Sequence, residues 1–136
     1  MIYMLDTNIC IYILKNYDNM LIEKFSGFNY GDICISSIVY SELVYGVEKS
    51  KKRNENMKNL LKFLSCIKIY DYDVNASNEY GRIRCALEKS GNTIGSMDML
   101  IASHAKSMNM TIVTNNEREF SRVKGLKIEN WVKEHK

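Results

Sequence analysis

Three acidic side chains stand where apolar faces should continue. In Ser96-Met-Asp-Met-Leu-Ile-Ala-Ser-His-Ala105, Asp98 precedes Ile101, Ala102 and Ala105 at helical spacing, so it shares their inward stripe. In Ser37-Ile-Val-Tyr-Ser-Glu-Leu-Val-Tyr-Gly46, Glu42 lies a turn beyond Ile38 and Val39 and a turn before Gly46. Asp6 closes the apolar run Ile2-Tyr-Met-Leu5. A carboxylate on an inward face is costly unless paired, protonated or bound to a metal. Together the three point to a shared cation site, and an oxygen-rich donor set of this kind suits Mg²⁺ or Mn²⁺.

Each acid also has a plainer reading. Asp98, in the first turn of its helix, complements the helix dipole, although that does not explain its core-facing phase. Asp6 is placed to cap a helix. Asn116 with Glu119 reads as a capping box, and Asp71-Tyr-Asp73 reads as the cap of the helix that follows it. Glu42 has the weakest alternative, because an acid inside an apolar stripe beside a glycine needs a reason.

The elements that must position these residues alternate. Ile2–Leu5 reads as a buried strand, with Thr7 or Asn8 capping a helix to Leu14. A short helix follows over 19–25, then a turn over 27–32 and a strand over 33–36. Ser36 or Ser37 caps the helix bearing Glu42. Further helices are predicted over 54–64, from the Asp73 cap to Lys89 before Gly91, and from Gly95 or Ser96 onward, with extended segments over 66–70 and 111–114. Such alternation predicts an α/β domain, a parallel sheet covered by helices on both faces. Ligands of such sheets bind beyond the carboxyl ends of the strands, where Asp6 and Thr114-Asn-Asn116 fall.

Composition bounds the class. A chain of 136 residues, 46% hydrophobic and 26% charged, is expected to be one soluble domain over 1–136 with a single core. It contains no membrane-length apolar run and no signal-peptide pattern, so the expected location is the cytoplasm. The net charge of +3 is modest, but Lys49, Lys51, Lys52 and Arg53 cluster, as do Arg118, Arg122 and Lys124, and such clusters suit phosphates. Cys10, Cys34, Cys66 and Cys85 are scattered singly, and with only His104 and His135 beside them no zinc pattern emerges. Cys34 and Cys66 read as buried thiols, and His104, off the Asp98 stripe, reads as a surface residue.

Leu5-Asp-Thr-Asn8, Ser41-Glu-Leu43 with Gly46, Asp98-x-x-Ile-Ala102, Thr114-Asn-Asn-x-x-Glu-Phe120, Gly125-Leu and Asn130-Trp131 occur in that order over nearly the whole chain. In this the chain resembles the VapC toxins, PIN-domain ribonucleases of bacterial toxin–antitoxin pairs. The resemblance implies a three-layer α/β/α fold with about five parallel strands. It also implies a Mg²⁺-dependent endoribonuclease acting on RNA, often tRNA in the anticodon region. A cognate VapB-type antitoxin, a homodimer and promoter binding through the antitoxin are implied as well. By position Asp6 and Asp98 correspond to the metal ligands and Glu42 to the third acid. Many PIN domains carry a fourth acid where this chain has Asn116, which leaves two alternatives: Glu119 as its substitute, or a second metal that binds only with RNA.

The chemistry follows from such a site. An anionic phosphodiester would be repelled by the acids unless a divalent cation intervened. With that cation held by Asp6 and Asp98, water is expected to attack phosphorus in line, with Glu42 as a ligand or base. The products would be a 3′-hydroxyl and a 5′-phosphate. Thr7, Ser36 and Thr114 are candidate hydroxyls for orienting the carboxylates. Two alternatives stand beside this reading: a catalytically weak PIN-like module that binds RNA or antitoxin, and a PIN nuclease acting on DNA or in RNA processing. An amphipathic antitoxin segment would meet the helices near 9–14 and 54–64, where Tyr12 and Phe63 lie, although core packing accounts for most of those residues.

Overall fold

The computed structural model describes residues 2–132; His135 and the charged end beyond Val132 lie outside them. The chain begins with strand β1 (Tyr3–Leu5), then helices α1 (Thr7–Leu14) and α2 (Asn19–Ser26). Strand β2 (Ile33–Ser36) leads into α3 (Ser37–Glu48) and α4 (Arg53–Leu64). After β3 (Lys68–Tyr70) come α5 (Val74–Ser90) and α6 (Ser96–Ser107), and β4 (Thr111–Val113), α7 (Glu117–Phe120) and β5 (Lys127–Glu129) complete the described elements.

The five strands form one parallel sheet in the order β3-β2-β1-β4-β5. Met4 of the central strand pairs with Cys34 on one side and Ile112 on the other. Burial explains the order. Every residue of β2 and β4 is buried, as a strand with helices on both faces requires, and Met4 and Leu5 of β1 are fully buried between them. The edge strands carry Lys68 and Lys127 instead, charges that discourage further strand pairing. The chain order reverses around β1, placing β2 and β4 on its two sides and opening a crevice at their carboxyl ends.

Local chemistry sets most boundaries. Ser36 caps α3 through the Ile38 amide, and Asp73 caps α5 through the Ala76 amide. Helix α5 ends at Gly91, whose φ of +72° is strained for any residue with a Cβ. Elsewhere the sequence expectation needs correction. Helix α1 is capped by Asp6 rather than Thr7 or Asn8, and β1 starts at Tyr3 because Ile2 is exposed. Hydrophobic pattern alone indicated four strands; β5, Lys-Ile-Glu, has a single apolar residue and is extended because it pairs with β4.

The core packs the two helical layers against the sheet, with Phe120 of α7 wholly enclosed. Phe63 belongs to this core and lies 5.6 Å from the Phe25 ring, so it offers no docking surface; Tyr12 is half-buried against it. Cys10 and Cys34 are buried free thiols, and burial pushes Cys34 up to about 12. Cys66 is exposed, contrary to expectation, because it precedes an edge strand with solvent beside it. His104 is also corrected: it is 1% exposed, because α6 is covered both by α5 and by the sheet. Among the described residues no helix is long and apolar enough to cross a membrane.

Candidate active site

Asp6 leaves the end of β1 and enters α1 as its N-cap. Its Oδ1 accepts the Ile9 amide at 2.9 Å, and only 3% of the residue is exposed. Cap and cleft-facing acid are therefore one residue, not alternatives. Burial raises its carboxyl above the usual range; the Thr114 hydroxyl and Ile9 amide oppose this, and the charge of Glu42 adds to it.

Glu42 sits in the second turn of α3, where the β2–α3 junction aims it back towards β1. Its Oε1 accepts the Thr7 hydroxyl at 2.5 Å, tying α3 to the first residue of α1. Asp98 lies in the first turn of α6 and is half-buried. Its carboxyl is pushed up to about 6, first by burial and then by the charges of Asp6, Glu119 and Glu42. Asp6, Glu42 and Asp98 line a single cleft of about 590 Å³ between α1, α3 and α4.

Asn116 and Glu119 stand beside Asp98 rather than in the lining of that cleft. The capping box expected of them does not form, since α7 has no side-chain cap. Instead the Asn116 amide donates to Glu119 Oε2 at 3.2 Å and, at a long 3.5 Å, to Asp98 Oδ2. Only the donor end of an amide suits two carboxylates, so Asn116 bridges acids rather than acting as one. The Asn116 backbone amide in turn donates to Thr114 Oγ1 at 2.9 Å.

Thr7 and Thr114 thus orient acids, whereas Ser36 does not. Its hydroxyl caps α3 and lies 2.7 Å from His104 Nδ1, and the His104 ring meets Tyr72 edge-on. That bond joins the two helices bearing Glu42 and Asp98. Residues 36 and 104 are too distant in sequence for any local signal to have linked them. Sequence reasoning also missed Asn8, Tyr45, Asn56 and Asn59 in the cleft wall. The three-residue offset of Tyr45 from Glu42 was the available clue, since such pairs share a helix face.

The acids share a cleft and a field rather than a finished coordination shell. Among the described residues no three His, Cys, Asp or Glu side chains are drawn into one ligating cluster. Nor does any lysine or arginine pair with Asp6, Glu42, Asp98 or Glu119.

Comparison with known proteins decides the family. Residues 3–126 match the PIN domain. The tRNA(fMet)-specific endonuclease VapC of Shigella flexneri is 46% identical over 129 residues, covering 95% of this chain and 97% of that protein. The chain belongs to the VapC family of PIN-domain ribonucleases. Solved relatives of the family share its backbone. The DNA-bound VapBC of Salmonella typhimurium superposes with a TM-score of 0.92 at 42% identity, covering 97% of this chain and 99% of that one. VapBC2 of Rickettsia felis, bound to a DNA fragment from its promoter, gives 0.89 at 44% identity over 97% and 100%. The expected three-layer α/β/α fold and its five-stranded sheet thus hold, and the family makes the chain a toxin endoribonuclease.

Proposed function

We propose that the whole chain is one PIN domain that hydrolyses RNA phosphodiesters in the acid-lined cleft, with tRNA as substrate, leaving a 3′-hydroxyl and a 5′-phosphate. One observation carries the siting of this chemistry: Asp6, Glu42 and Asp98 share a cleft, no basic side chain among the described residues forms an ion pair with them, and Asp98 is raised to about 6. Acids left in mutual repulsion mark a site kept for a positive ligand.

The donor set fits a hard divalent cation, all carboxylate oxygen with no sulfur or imidazole in the lining. Asp6 and Asp98 would hold it, with Glu42 as a third ligand. Mg²⁺ or Mn²⁺ would supply Lewis acidity to the phosphodiester and to the attacking water. The chain's own residues do the rest. Thr7 fixes the Glu42 carboxylate, which can then take a proton from water or hold it in line. Asn116 keeps Glu119 beside Asp98, making Glu119 the fourth acid and Asn116 its positioning residue.

The family likeness supports a VapB-type antitoxin as partner, a homodimeric toxin, and action in the cytoplasm, where tRNA is found. Cleavage of bulk tRNA by the purified chain, with Mg²⁺ and with EDTA, tests the reading beside Asp98→Asn. Cutting is expected only with metal and an intact Asp98. A folded Asp98→Asn protein that cuts like the parent would remove Asp98 from the chemistry. A folded, antitoxin-free parent that never cuts would favour the binding-module alternative.

A further inference from the structure

The cleft is larger than the acids need. Its volume of about 590 Å³ falls within the roughly 300–1,000 Å³ of sites that enclose a whole small ligand. Its walls also run away from the acids. Along α3 the lining continues from Glu42 to Lys49, about 10 Å of helical rise, and along α1 it extends from Asp6 to Lys15, about 13 Å.

The chemistry changes along that path. Ile11 and Leu43 provide apolar surface beyond the carboxylates. Tyr45 follows, 66% exposed, with Lys49 Nζ 4.9 Å from its ring centre. Lys15 stands on the facing helix, and neither lysine forms an ion pair among the described residues. Asn8, Asn56 and Asn59 add amides. The Asn56 amide nitrogen donates to Ser50 Oγ at 2.9 Å, which leaves its carbonyl available. Asn8 and Asn59 make no side-chain hydrogen bond among the described residues.

We propose that this stretch is a subsite for one unpaired nucleotide next to the scissile phosphate. Tyr45 stacks on the base, Asn8, Asn56 and Asn59 engage its edge, and Lys15 and Lys49 take the neighbouring phosphates. An exposed ring, amides with open hydrogen-bonding atoms, and ammonium groups that rest on tyrosine rings without an ion pair are complementary to the three parts of a nucleotide. A paired base would offer neither its face nor its Watson–Crick edge, so the occupant is single-stranded. The subsite rests on the nuclease reading above, because that reading puts RNA in this cleft.

Fluorescein-labelled RNA pentamers of each single base, bound to the Asp98→Asn chain in EDTA, test the subsite without cleavage. Adding Tyr45→Ala is expected to weaken binding about tenfold or more, whereas Tyr45→Phe stays near the parent. Asn59→Ala is expected to narrow the preference among the four bases. With Asp98 intact and Mg²⁺ present, Tyr45→Ala should raise KM for tRNA more than it lowers kcat. Tyr45 is exposed, so an unchanged melting temperature serves as the fold control. Pentamers that bind Tyr45→Ala as tightly as the parent, while the wild-type chain still cuts tRNA, would sink the subsite and leave the nuclease standing. Tyr45-dependent binding by a wild-type chain that never cuts would support the subsite and sink the nuclease. Loss of antitoxin affinity in Tyr45→Ala with RNA binding intact would assign the cleft to a protein partner and overturn the proposal.

Discussion

The acids of the outer helices and those of the cleft are the same residue types under opposite rules. Glu48, Glu79 and Glu88 each lie 2.7–3.1 Å from an arginine, Arg53, Arg82 and Arg84 respectively. The guanidinium of Arg53 holds the Glu48 carboxyl below its ordinary range. Asp6 and Asp98 have no such neighbour and are displaced upward. The chain has 19 basic residues, so cations are not scarce; yet among the described residues none forms an ion pair with a cleft acid, although Lys15 and Lys49 line the same cleft. The outer pairs are exposed or, at Glu79, partly exposed, so solvent screens them and they shape the surface more than they stabilise the fold. Burial and mutual repulsion disfavour the charged forms of Asp6 and Asp98, a pattern that clusters at functional sites.

Asp6 offers the strongest test of this contrast, because it is cap and cleft acid at once. Asp6→Asn keeps a good N-cap and removes the charge, whereas Asp6→Ala removes both. Both variants should lose more tRNA cleavage than the roughly 10–100-fold typical of an outer-shell partner. Only Asp6→Ala should also lose about 1 kcal/mol of stability in urea melts. Full cleavage by a folded Asp6→Asn protein would break the distinction between cap and site.

A smaller effect lies in the pH dependence of stability in EDTA. The Asp98 carboxyl ionises near 6 in the folded chain and near 3.8 when unfolded. Below 3.8 both states are protonated and there is no penalty. As the pH rises from 3.8 to 6 the unfolded chain ionises first, so stability falls across that window and stays reduced above it. Asp98 is half-exposed, so solvent screening leaves on the order of 1 kcal/mol of this loss. Asp98→Asn should abolish that part of the decline. Equal slopes in parent and variant urea midpoints between pH 4 and 7 would show the cleft charge to be harmless.

The smallest effect belongs to the surface. Glu48→Gln breaks the pair with Arg53, yet melting and tRNA cleavage should both stay at the parent's values. A clear fall in either would erase the contrast between the two groups of acids.

What was legible in the sequence followed from local signals. Asp73 before Val74, Gly91 after Ser90 and Ser36 before Ser37 mark helix ends through bonds or backbone angles a few residues apart. Asp6 and Asp98 stood out because an acid interrupts an apolar pattern that can be read along the chain. Phe63 packs in the core, as was expected of most residues on its helix, but the surface role expected of His104 failed. Periodicity tells which face of a helix is buried first, but not that a second layer covers another face.

The sequence by itself determined the alternation of strands and helices, most caps, and the two acids at the ends of their apolar runs. These rest on backbone propensity and spacing within one or two turns. Only the tertiary structure decided that Lys127–Glu129 is a strand, that Thr7 holds Glu42 and that Ser36 meets His104. It alone turned the Asn116 amide towards Glu119 and Asp98 and set Tyr45 in the acid cleft's wall. The β5 pairing and these side-chain contacts depend on groups from separate elements, and their geometry exists only once the sheet has brought those elements together.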